Sequence, residues 1–118
     1  MNKKQIFDLI VNKTACVCGV SAEDIKGTSR VSDVVDARCM AFRFALSKEI
    51  GFSPRDIARL LDKDNPKSIR ELNNSFHIRW DRSNFFRGLY TFLRSEIKRE
   101  GILPIKEYDD WKSNLSGR

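Results

Sequence analysis

Apolar positions along the chain recur at the three- and four-residue spacing of helices. Ile6, Leu9, Ile10, Lys13 and Val17 lie on one stripe, widened by Phe7, which predicts an amphipathic helix from Lys3 to about Cys18 with Gly19 as its stop. Ser21 is the expected cap of a short second helix, with Asp24 three residues on and an end near Lys26 and Gly27. A polar loop, Thr28 to Ser32, carries Arg30. Ser32 or Asp33 is then the expected cap of the longest helix, from about Asp33 to Ile50. Val35, Cys39, Phe42, Leu46 and Ile50 form its stripe, and Val34, Ala37, Ala41, Phe44 and Ala45 carry apolar character around most of the cylinder. A helix apolar over so much of its surface belongs at the centre of a fold. Gly51 is its expected terminal glycine.

The stretch from Gly51 to Phe76 reads as helix, tight turn, helix. Ser53 caps the first helix, Pro54 suits its first position, and Asp56 completes a capping box. Ile57, Leu60 and Leu61 give it a short apolar face. Residues 62–65, Asp-Lys-Asp-Asn, make a polar turn. Asn65 is the expected cap of the second helix, with Pro66 at its first position. Ile69, Leu72 and Phe76 face inward in that helix, and Lys67, Ser68, Arg70, Glu71 and Asn74 fall on its other faces. This is the layout of a DNA-reading helix-turn-helix, and equally of a common helical hairpin.

The second helix is expected to run to about Ile78 or Arg79, and Asp81 to Ser83 marks a break. Ser83 caps a last long helix whose stripe is Phe85, Phe86, Leu89, Phe92, Leu93 and Ile97; Gly101 and Pro104 end it. These aromatic rings are expected in the core, not on a platform for stacking bases. No convincing strand, repeat or linker appears. The expectation is an all-α, compact helical domain of about six helices over residues 1–101, with a helix-turn-helix at 53–78 and a partly disordered tail at 102–118. Tyr108 and Trp111 are the tail residues able to pack back on the core.

Composition narrows the partners. Twenty-two basic residues against sixteen acidic ones give a net charge of +6, which favours an acidic partner: nucleic acid first, anionic membrane second. No apolar run approaches the roughly 20 residues that span a bilayer, and the N-terminus lacks the long apolar core of a secretion signal, so a cytoplasmic protein is expected. The three cysteines, Cys16, Cys18 and Cys39, are an odd number with no spacing for zinc, and read as small buried apolar residues. His77 is the single histidine and has no nucleophile partner at a recognisable spacing. No phosphate-cradling glycine loop or nucleophile elbow occurs. The acid pairs Asp62/Asp64 and Asp109/Asp110 suit a solvated turn and the tail. The chain is therefore expected to be no enzyme and to need neither metal nor cofactor.

Candidate chemistry concentrates on the second helix of the motif. Lys67, Arg70 and Asn74 recur on one side, where a cation can meet guanine or phosphate and an asparagine can pair with adenine. Lys63 in the turn adds a cation. Asn65 and Pro66 either cap the helix or present free N–H groups to a phosphate. Arg38, on a largely apolar helix, either reaches a groove or pairs with an acid such as Asp36.

Over about residues 6–100 the order of elements resembles the C-terminal DNA-binding domain (domain IV) of the bacterial replication initiator DnaA, a helix-turn-helix fold of the Trp-repressor type. VCGVSAEDIKG is similar to the opening of that domain, and VVDARCMAFRFALSKEIGFSPRDIARLL to its central run. Arg38, Ala41 and the Lys48-Glu49-Ile50 end fall in register, and Ser53 and Ile57 match the capping serine and buried isoleucine of the motif. The resemblance implies double-stranded DNA binding in replication initiation or its regulation, with the second helix in the major groove. It implies that Arg38 takes the place of a minor-groove arginine, that Arg30 lies in the backbone-holding loop, and that Lys67 and Ser68 replace two base-reading threonines. At the turn this chain reads Lys63-Asp64-Asn65-Pro66-Lys67-Ser68-Ile69 where the family has Gly-Arg-Asp-His-Thr-Thr-Val. That difference leaves open a protein–protein adaptor or transcriptional regulator that kept the scaffold without the family's usual DNA site.

Overall fold

A computed structural model describes residues 2–100. The tail assignments, with Tyr108 and Trp111, lie outside the described residues. Seven helices follow one another: α1 (Lys3–Cys18), α2 (Ala22–Lys26), α3 (Ser32–Leu46), α4 (Pro54–Leu60), α5 (Lys67–Asn74), α6 (Phe76–Arg82) and α7 (Asn84–Arg99). No strand occurs among the described residues, so the fold is all-α.

Helix starts follow side-chain chemistry. Ser21, Ser53 and Ser83 each accept a hydrogen bond from the backbone N–H three residues on, at 3.0, 3.1 and 3.0 Å. Each satisfies one of the donors that a helix start leaves without a partner. Asp56 reciprocates by accepting from the Ser53 N–H at 2.9 Å, which closes the capping box. Asn2 and Gln5 make a second capping box on α1.

Two boundaries differ from expectation at the ends of α3. Its cap is Val31, with no side-chain bond, so neither Ser32 nor Asp33 caps it; Asp33 instead lies in the first turn, where its charge suits the helix dipole. The helix stops at Leu46, four residues early. Ser47 takes an extended ψ of 160° and its hydroxyl donates to the Phe44 carbonyl at 2.6 Å. Ile50 is nevertheless buried, carried into the core by a turn in which the Gly51 and Phe52 N–H groups return to Ser47 and Ala45. Gly51 has φ +83°, a conformation that glycine adopts without a Cβ clash.

α3 packs against all six other helices. Ala37, Ala41 and Ala45 let neighbours approach closely, while Cys39, Met40, Phe42 and Phe44 fill the space between them. α1 covers α3 through Ile6, Phe7, Ile10 and Val11, with α7 beside it. Thr14 is buried in the same surface, its hydroxyl satisfied by the Ile10 carbonyl at 2.7 Å.

The expected second helix of the motif is broken at Ser75 into α5 and α6. The Ser75 hydroxyl donates to the Leu72 carbonyl at 2.6 Å and its N–H is shared between Glu71 and Leu72. Just past the break, Phe76 stands at the centre of an aromatic cluster, with ring centroids 5.7 Å from Trp80, 5.3 Å from Phe86 and 4.8 Å from Tyr90. The Arg43 guanidinium lies 4.8 Å over the same ring and ties α3 to the cluster.

The buried line of α7 is Phe86, Tyr90, Leu93 and Ile97. Phe85 and Phe92, expected in the core, are 76% and 54% exposed. Residues 85 and 92 are seven apart and share a flank one position around the helix from the inward line. Lys98 and Arg94 at the far end of α7 pair with Glu49 in the turn after α3.

Candidate nucleic-acid interface

α4 and α5 lie at the edge of the fold, packed on one another and on α3. α4 ends in a turn that reverses the chain within a few residues. Asp62 takes a left-handed φ of +58°, and the Lys63 N–H returns to the Ala58 carbonyl at 2.8 Å while that of Asp62 returns to Arg59 at 3.1 Å. The paired bonds are those of a Schellman stop, here with aspartate in place of the usual glycine. Asn65 then accepts from the Lys67 N–H at 2.9 Å, and the Pro66 carbonyl takes the N–H groups of Ile69 and Arg70. α5 thus starts one residue later than expected, with Pro66 as the flanking residue.

Ile69 is buried and Leu72 half-buried against the core, and this fixes the phase of α5. Lys67, Ser68, Arg70, Glu71 and Asn74 are all exposed on its far side. Lys67 and Glu71 sit 3.9 Å apart one turn from each other, both largely exposed. A pair so exposed adds little to stability. Asn73 is the exception on this helix: its side-chain oxygen accepts from Arg43 at 3.3 Å, so it belongs to the support beneath α5.

Arg55, Arg59, Lys63, Asp64, Asn65 and Pro66 line a cleft of about 430 Å³ beside the start of α5, with Ala58 at its floor. Lys63 and Asn65 were expected at the interface from sequence. Arg55 and Arg59 were not; their signal is a cation every fourth residue, 55, 59 and 63, along α4 and into the turn.

Arg38 has a different position from the one expected. Its Nε donates to the Ile25 carbonyl at 2.8 Å, and its two terminal nitrogens donate to Ser29 at 2.9 Å and Asp24 at 2.7 Å. Burial lowers its pKa against the opposing pull of Asp24. The guanidinium clamps the end of α2 and the loop before α3. It does not pair with Asp36, which is bound by Arg79. Arg30 in the same loop is exposed.

The remaining reactive groups lie elsewhere. The thiols of Cys39 and Cys18 have pKa values pushed up to about 11, first by burial, and behave as core groups; Cys16, expected to be buried, is exposed on α1. His77 is exposed. No cluster of three metal-ligating side chains occurs among the described residues. No helix among them is long and apolar enough to cross a membrane.

No family model matches the chain, and no curated protein and no solved structure is significantly similar to it.

Proposed function

We propose that this chain binds double-stranded DNA without catalysing a reaction, using α4 and α5 as a helix-turn-helix. One observation carries the reading: the outer face of α5 presents Lys67, Ser68, Arg70, Glu71 and Asn74 to solvent while its inner face is held by Ile69 and Leu72. A short helix supported from behind, with hydrogen-bonding side chains in front, matches the width and chemistry of a major groove. Lys67 and Arg70 suit guanine or phosphate, Asn74 suits adenine, and Glu71 suits the amino group of cytosine. The positive net charge supplies long-range attraction.

The resemblance to domain IV of the replication initiator supports a role in replication initiation or its regulation, in the cytoplasm of a bacterium. Arg38 is not part of the proposed interface, because its three carbonyl partners hold it in the fold.

A protein–protein adaptor is the second reading, favoured by the exposed rings of Phe85 and Phe92 on α7. The double substitution Lys67→Glu, Arg70→Glu separates the two. Under the DNA reading, duplex affinity measured by fluorescence anisotropy falls by about tenfold or more, since each good base or phosphate contact contributes on that scale. Unchanged affinity contradicts it.

A further inference from the structure

The cleft between α4 and the turn has chemistry that the α5 face does not use. Arg55 and Arg59 stand one turn apart on α4, and Lys63 follows just past its end, all three lining the same space. Against them the lining sets one carboxylate, Asp64, and the Asn65 amide. Ala58 and Pro66 are the only apolar members, so the space does not suit a hydrophobic ligand.

The arginines of the cleft also differ from those that tie elements of the fold together. Arg38, Arg43, Arg79, Arg87 and Arg94 each donate to a carbonyl, an amide or a carboxylate. Among the described residues, the ion pairs within 4.0 Å include none at Arg55, Arg59 or Lys63. Like charges one turn apart repel, and no ion pair among the described residues offsets that here. A bound anion would. Guanidinium groups favour oxyanions that accept two parallel hydrogen bonds, phosphate above all.

We propose that Arg55, Arg59 and Lys63 form a phosphate-binding site. It rests on the DNA reading and extends it: a backbone phosphodiester seated there anchors the duplex independently of sequence, while α5 reads bases beside it. A free phosphate offers the same chemistry, and the two sources are separable.

The test uses the isotope-labelled chain, followed by NMR at the arginine side-chain N–H groups and the backbone amides of residues 55–70. One titration uses inorganic phosphate, and the other a short duplex. The expected result is that both move the Arg55 and Arg59 signals. Replacing Arg55, Arg59 and Lys63 by Gln should then lower duplex affinity about equally for unrelated sequences. It should also flatten the slope of log affinity against log salt by about one unit for each phosphate that the variant no longer neutralises. Arg59→Gln alone repeats the measurement if the triple variant does not fold.

If inorganic phosphate moves these signals and no duplex binds, the phosphate site stands and the DNA reading fails. If the duplex moves the α5 face while the Gln variants keep the affinity and salt slope of the parent chain, the DNA reading stands and the phosphate site is overturned. Silence at Arg55 and Arg59 in both titrations overturns it as well.

Discussion

Arg38 and Asp56 show how much a single side chain can carry in this fold. Arg38 donates three hydrogen bonds to carbonyls of α2 and its following loop. Arg38→Ala is expected to destabilise the chain by about 2 kcal/mol in denaturant unfolding, because the variant gives up all three charge-assisted bonds together. Arg38→Lys should recover little, since an ammonium lacks the planar fork. Neither change should alter duplex affinity under conditions where the protein remains folded. Asp56 is subject to opposing effects. Burial pushes its carboxyl up, but hydrogen bonds from Ser53 and the contact with Lys3 at 3.0 Å outweigh this and hold it below its ordinary 3.8. A carboxyl lowered by folding stabilises the native state above its unfolded pKa, and that contribution disappears as pH falls through the folded value. Asp56→Asn should therefore be least stable relative to the parent chain at neutral pH. The gap should narrow as the pH drops below about 4, read from thermal midpoints across that range.

At the scale of elements, the difference between α5 and α7 matters most. Both are amphipathic, yet Phe76, which continues the α5 stripe at the start of α6, is buried among three aromatic rings, while Phe85 and Phe92 on α7 face solvent. Phe76→Ala is expected to cost about 3–5 kcal/mol, and Phe92→Ala about 0.5 kcal/mol or less, in the same denaturant titration. The sequence distinguishes these cases poorly. Neighbouring apolar residues at 85–86 and 92–93 satisfy helical spacing in either phase, and Tyr90, which settles the phase by its burial, is half polar. The starts of α2, α4 and α7 were readable because Ser21, Ser53 and Ser83 combine a capping hydroxyl with an apolar period behind it. The end of α3 was not, because Ile50 continues the period to a residue that is buried from a turn. Nor was the break at Ser75, which rests on a hydroxyl bonding back to Leu72. For the candidate interface, the outward face of α5 was legible as the complement of Ile69 and Leu72. Arg38 was not, since an arginine bonded to backbone carbonyls leaves no complementary acid in the sequence to reveal it. Arg55 and Arg59 were not legible either, because their significance comes from sharing a cleft with Lys63.

Among the described residues, α3 is the scaffold on which the other six helices pack, and α4 and α5 pack on it and on each other with Arg55, Arg59, Lys67 and Arg70 exposed. Two groups of cations differ in their surroundings. Arg38, Arg43, Arg79, Arg87 and Arg94 hold the fold together, while Arg55, Arg59, Lys63, Lys67 and Arg70 line the cleft and the outer face of α5. The proposed DNA binding rests on the second group. The most direct measurement is therefore duplex affinity as a function of salt, by anisotropy with unrelated duplexes. The expected result is micromolar or tighter binding at low salt, with log affinity falling linearly against log salt at about 0.9 per phosphate neutralised. Absence of binding to any duplex at micromolar protein, or an affinity that salt leaves unchanged, would contradict it.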